Sequence, residues 1–325
     1  MLLDDPHTTT QAPRSPHDIP WTNSTARAIL PTMGGIQKKR QAELDLIKKV
    51  AAQCKTAVIT GPAAARLLEL STHRWVTTVD LAMPGSSRAW GKTYPDRVYR
   101  SGLLRETEFV NHKGIRTATA IRAMFDSFRY HGRMEALVQI ESARFKHEHL
   151  TTEYLLEKTQ TLTQARGIKP FRELIRYSAD TSASALETRF RDKLLTAIKA
   201  GQLKGVETLE FQVGFQITDA DGWPTVAWAD ALINGFLIFE ADGLEKNSGA
   251  FGDAAEALRR ERHRETQLQN RGAVVRRAGW DAAEWDALIW AANQVLAQRP
   301  GVQQLPNRID TPYRVWLAEL AKKAS

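Results

Sequence analysis

The sequence predicts an α/β protein: an N-terminal α+β part, then a C-terminal sheet flanked by helices. Three observations carry this. Leu209, Phe211, Val213, Phe215 and Ile217 alternate with Glu210, Gln212, Gly214 and Gln216, the period of a strand with one buried face. Two apolar β-like runs then flank Asn234-Gly235, a pair that favours a tight hairpin. Helical stripes bracket both, with Leu186, Phe190, Leu194, Ala197 and Ile198 ahead of them and residues 282–298 behind. A length of 325 residues accommodates two ordinary domains.

Taken in order, residues 1–35 scatter five prolines from Pro6 to Pro31 among polar residues, and a mobile arm is expected there. Residues 36–178 form the first domain. A helix is expected over 37–53, with Leu44, Ile47, Val50 and Ala51 on one face. Residues 57–70 read as a short strand entering a helix, with Pro62 in the first turn, where its missing N–H costs nothing. Short strands follow at 75–82, 97–99 and 108–111, then helices at 117–130, 133–145, 151–165 and 170–177. The second domain spans 179–325. Its helix opens at Ser184 and ends at Gly201, and the strand over 209–217 leads through a turn at 219–224 into the hairpin. An Arg-rich helix covers 253–270, a short strand 273–277, and a last helix 282–298. Trp280, Trp285 and Trp290 recur every five residues and read as packing.

Composition narrows the function. Hydrophobic residues make up 42% and charged residues 25%, the balance of a soluble globular chain. A net charge of +8 and a pI near 9.6 favour an anionic partner. Nucleic acid ranks ahead of membrane, because no apolar run is long enough to span a bilayer. Cys54 stands alone, which excludes a disulfide within the chain and argues against thiolate zinc. The opening Met-Leu-Leu-Asp-Asp has no basic region followed by an apolar one, so a cytoplasmic location is expected.

The chemistry concentrates between Asp230 and Lys246. The second apolar run ends in Glu240-Ala-Asp242-Gly243, and carboxylates there are costly unless something binds them. A hard divalent cation, Mg²⁺ or Mn²⁺, takes oxygen ligands from such a group. Asp230, Glu240 and Asp242 are therefore candidate metal ligands. Lys246 is placed to offset charge developing at a phosphorus centre. Asp230 and Glu240 can share an ion only from one sheet face, and the turn decides this. A two-residue Asn234-Gly235 loop pairs 233 with 236 and separates them; a bulged three-residue loop, 233–235, pairs 232 with 236 and makes them diagonal neighbours. The metal hypothesis expects the bulged turn. Two pairs of residues also have plain structural readings. Ser184 and Glu187 form a capping box, and Asp242-Gly243 is an ordinary turn signal. Arg259, Arg260, Arg262 and Arg264 spread around one helix, where some could grip phosphates and others simply face solvent.

These residues resemble the PD-(D/E)XK nuclease superfamily, in particular the Vsr-like domain of AbiEi-type antitoxin-like bacterial proteins. The resemblance covers about residues 55–280. It is carried by Ser184-Ala-Leu-Glu187, by Asp230, by Glu240-Ala-Asp242-Gly243-Leu-Glu-Lys246, by Arg264-Glu265-Thr-Gln-Leu268 with Gly272, and by Val274-Val275-Arg276. It implies a mixed sheet flanked by helices and a Mg²⁺- or Mn²⁺-dependent endonuclease site made by Glu187, Asp230, Glu240 and Lys246. It also implies a role in bacterial defence; Arg259, Arg260 and Arg264 are the candidate DNA contacts on the Arg-rich helix. Lys246 stands where these relatives carry His, Glu265 replaces Asp, and no N-terminal winged helix is evident. The alternative is a non-catalytic DNA-binding, antitoxin-like regulator on a decayed nuclease fold. A module whose residues 60–175 bind a partner protein is a third reading, and a homodimer stays open.

Overall fold

A computed structural model describes residues 34–85, 93–162, 165–241, 254–278 and 282–324. The expected arm lies outside these residues apart from Gly34 and Gly35. The architecture is α/β, with two mixed five-stranded sheets, each covered by helices.

Helix α1 (Gly34–Gln53) precedes strand β1 (Val58–Thr60), which enters α2 (Gly61–Leu67) with Pro62 in its first turn. Strands β2 (Val79–Ala82), β3 (Arg97–Arg100), β4 (Phe109–His112) and β5 (Ile115–Ala118) complete a sheet in the order β3-β2-β1-β5-β4. The expected helix over 117–130 gives up its start to β5. Lys113 and Gly114, at φ 50° and 83°, form a two-residue loop that pairs His112 with Ile115. Lys-Gly is a weaker hairpin signal than Asn-Gly, which hid the strand. Helices α3 (Ala120–His131), α4 (Arg133–Lys146), α5 (Thr152–Lys158) and α6 (Ile168–Tyr177) follow. Phe125, Leu137, Ile140, Phe171 and Ile175 join them in one core. A second core, with Ile47, Val58, Ile59 and Leu81, fixes α1 and α2 to the sheet. Beneath α3, buried Asp126 accepts bonds from Thr60 Oγ1 (2.6 Å) and Arg122 Nε (2.8 Å).

The second sheet runs β10-β6-β7-β8-β9, from β6 (Leu209–Thr218), β7 (Pro224–Ile233), β8 (Leu237–Ala241), β9 (Val274–Ala278) and β10 (Arg308–Ile309). Strands β8 and β9 are parallel, while the other neighbours are antiparallel. Helices α7 (Ala185–Lys199) and α9 (Ala282–Gln298) cover one face through Phe190, Leu194, Trp285 and Leu288. Helix α8 (Ala254–Asn270) covers the other, with Leu268 against Ile238 and Val275. Strand β10 and helix α10 (Tyr313–Ala324) lie in a tail that the periodicity did not reveal. Trp285 is buried as expected, but Trp290 is 67% exposed, which corrects its reading as packing. Trp280 lies outside the described residues.

The hairpin departs from both sequence-based alternatives. Phe236 N donates to Ile233 O (3.2 Å), and the ladder then pairs Ile233 with Leu237, Leu232 with Ile238 and Ala231 with Phe239. Asn234 and Gly235 carry φ 49° and 71°, and Phe236 is the extra residue. The expected bulged loop at 233–235 is thus shifted by one position. Asn234 has a reason to be there. Its buried side chain accepts from the N–H groups of Glu207 (2.7 Å) and Thr208 (3.0 Å) and donates to Gly205 O (2.8 Å), fixing the lead-in to β6.

Candidate functional site

Asp230 and Glu240 come from neighbouring strands. Extending the observed register by one step sets Asp230 directly opposite Glu240, where a diagonal was expected. Asp230 also sits where the pleat of the sheet is interrupted. On β6, Leu209 and Phe211 pack with the α7 and α9 side, whereas Val213, Phe215 and Ile217 pack on the α8 side. The alternation inverts at Gln212, whose φ of 53° is left-handed, and the matching switch on β7 falls between Ala229 and Ala231. Period-two reading assumes an unbroken pleat and so places Gln212 among the polar residues of the solvent face.

This interruption gathers three side chains. Gln212 Nε2 donates to Glu187 Oε2 and to Asp230 Oδ1, each at 3.2 Å. Asp230 Oδ2 accepts from Ala241 N (2.8 Å), which fixes the carboxylate at the end of β8. Glu187 performs the capping role expected of it. Its N–H donates to Ser184 Oγ (3.2 Å), and its carboxylate accepts from Ser184 Oγ (3.0 Å) and Ala183 N (2.8 Å). Capping and membership of the site coexist in Glu187. A small cleft opens here, lined by Thr181, Ser182, Glu187, Arg191, Gln212 and Asp230 among others.

Glu240 turns to the α8 side. Both its oxygens accept from Arg264, at 2.7 and 2.6 Å, and Arg277 lies 3.9 Å away. Burial pushes the Glu240 carboxyl above the usual carboxylate range; Arg264 pulls it back, and Glu261 and Asp230 push it further up. That Asp230 contributes places the two carboxylates within electrostatic reach of each other. Burial alone would lower Arg264, but Glu261 and Glu240 outweigh it and hold the guanidinium charged. Arg264 also bonds Glu261 (2.7 Å), which in turn takes Arg277 (2.6 Å).

Among the predicted site residues, then, Glu187 and Asp230 meet through Gln212, and Glu240 is the cross-strand neighbour of Asp230. Asp242 and Lys246 lie outside the described residues. Of the predicted phosphate contacts, Arg259 is exposed, Arg260 pairs with Glu256 on the helix surface, and Arg264 is turned inward onto Glu240. Sequence reasoning missed Gln212 and Arg191. Arg191 could have been found one helical turn beyond Glu187, on the same face of α7.

Carboxylate oxygens of Glu187 and Asp230 at the cleft are the ligand type that a hard divalent cation takes, whereas Glu240 lies on the opposite side of the sheet, held by Arg264. Among the described residues, no group of three or more His, Cys, Asp or Glu side chains is placed to hold a metal ion. No helix among them is long and apolar enough to cross a membrane. Comparison with protein-family profiles, curated proteins and solved structures finds no match to this chain.

Proposed function

We propose that this protein is a Mg²⁺- or Mn²⁺-dependent endonuclease that hydrolyses phosphodiester bonds of DNA, in the setting of bacterial defence. The observation that carries the reading is the setting of Asp230. It is the cross-strand backbone neighbour of Glu240, whose side chain turns to the α8 side, and it reaches Glu187 through Gln212 at a cleft.

In this mechanism Asp230 and Glu240, with Asp242, would hold the cation, Glu240 giving up its bonds to Arg264 to do so. When bound, it supplies a Lewis acid for a phosphoryl oxygen and lowers the pKa of a coordinated water. Glu187 orients the attacking water, its own carboxylate fixed by the cap of α7. The attacking water gives up a proton to solvent, its oxygen bonds to phosphorus as the bond to the leaving ribose oxygen breaks, that oxygen takes a proton from solvent, and Lys246 offsets the charge that builds on the phosphate. Arg259 and Arg260 on α8 contact the flanking phosphates, with Arg264 behind them anchoring Glu240.

A second reading is favoured by one observation. Arg264 already occupies both oxygens of Glu240, and the Gln212 amide already bridges Glu187 and Asp230. A site so satisfied by its own side chains suits a non-catalytic, antitoxin-like DNA-binding protein on a decayed nuclease fold. Incubating purified protein with supercoiled DNA in Mg²⁺ or Mn²⁺, against EDTA, separates the two. The nuclease reading predicts nicked or linear product only with cation. Retarded DNA on gels without cation, and no cleavage with it, supports the second reading.

A further inference from the structure

The cleft has a cation of its own, and it is anchored from the other half of the molecule. Arg191 lines the cleft beside Glu187 and Asp230, with its side chain 11% exposed. One Nη donates to Glu141 Oε1 (2.7 Å) and the other to Tyr177 O (2.9 Å). The rings of Tyr177 and Phe211 flank the guanidinium carbon at 5.1 and 5.8 Å. These contacts fix the position of the group and leave guanidinium donors over.

Glu141 belongs to α4, in the first domain, and is fully buried. It also accepts from Ala179 N (3.0 Å) and Ser182 Oγ (2.8 Å), which ties the connecting segment, another wall of the cleft, to the same carboxylate. As a stabilising device such a buried pair is poor, because desolvating two charges offsets most of their attraction. As a means of presenting a permanent positive charge at a fixed point it is apt. A cleft walled by carboxylates repels a phosphodiester unless a cation faces it, and a prearranged arginine loses little entropy on binding.

We propose that Arg191 contacts the substrate phosphate in this cleft and that Glu141 is the positioning residue that holds it there. The inference rests on the reading of the cleft as a phosphodiester site, but not on turnover. One half of the molecule therefore completes the site of the other.

The test uses the full-length protein and a short fluorescent DNA duplex, with Ca²⁺ as the cation and binding followed by anisotropy over a range of salt. Arg191→Gln should weaken binding about tenfold or more, as loss of a charge-assisted bond does. It should also reduce the slope of log affinity against log salt by about one, the signature of one lost phosphate contact. A purely structural role would not move that slope. Arg191→Lys should restore the slope and part of the affinity. Glu141→Gln should weaken binding in the native background and add nothing in the Arg191→Gln background. Should Arg191→Gln fail to fold, Arg191→Lys against Glu141→Gln carries the same comparison. Unchanged affinity and slope in a folded Arg191→Gln protein, or additive losses in the double variant, would overturn the proposal. Because binding is read without cleavage, the slope can fall as expected even if the protein never cuts DNA; the nuclease reading then fails alone.

Discussion

At the scale of single residues, the same side chain often answers to two demands. Glu187 caps α7 and faces the cleft, and neither role displaces the other, because Oε2 accepts from Ala183 N and from Gln212 at once while Oε1 accepts from Ser184 Oγ. Tyr313 shows how the site's charge reaches its neighbours. Burial first, then the Glu187 and Asp230 carboxylates, push its phenol up to about 12. Tyr177 and Tyr99 also rise to about 12, each chiefly through burial. The sign follows from linkage. Between pH 10 and about 12 the unfolded chain releases phenolic protons that the folded chain keeps. The stabilisation is therefore complete below pH 10 and is lost as pH climbs through the folded values near 12. Denaturant unfolding across that range should show falling stability, with a shallower fall in Tyr313→Phe. An identical slope in that variant would contradict a Tyr313 phenol raised by burial and by these carboxylates.

At the scale of elements, the hairpin between β7 and β8 sets the spacing of the site, and its turn is tightly constrained. Gly235 has φ 71°, and a Cβ added there would overlap the carbonyl oxygen of Gln303. Gly235→Ala should therefore cost about 2 kcal/mol or more, from left-handed strain and from the forced shift of the 303 backbone. Chemical denaturation checks this, and a loss below about 0.5 kcal/mol would show that the turn relaxes freely. Legibility also differs by element. Helices with a sustained apolar stripe, such as α7 and α9, were readable to within a residue or two. Asn234-Gly235 was readable as a turn, but its register was not, because Phe236 enters the loop as the extra residue to serve the core. Strand β5 hid behind a Lys-Gly turn, and the exposed Trp290 followed a spacing that three tryptophans share only by count. The pleat inversion at Gln212 left no trace in the pattern, since the residue types on either side alternate as they would in an ordinary strand.

At the scale of the whole molecule, two sheets with separate cores are joined by α4 packing against α7. Glu141 with Arg191, and Arg133 with Asp192 at 2.8 Å, cross that junction next to the cleft. The carboxylates of the candidate site were legible in the sequence because carboxylates at the end of an apolar strand demand a partner. Their present partners, Arg264 and Gln212, were not, since each arrives from an element distant in the chain. The proposed nuclease chemistry needs Asp230 and Glu240 to act together on one cation. The most direct measurement compares native protein with Glu240→Ala on supercoiled DNA in Mn²⁺, with circular dichroism confirming that both are folded. The account predicts cleavage by the native chain and its loss in the variant, whereas cleavage at the native rate by a folded Glu240→Ala protein would contradict it.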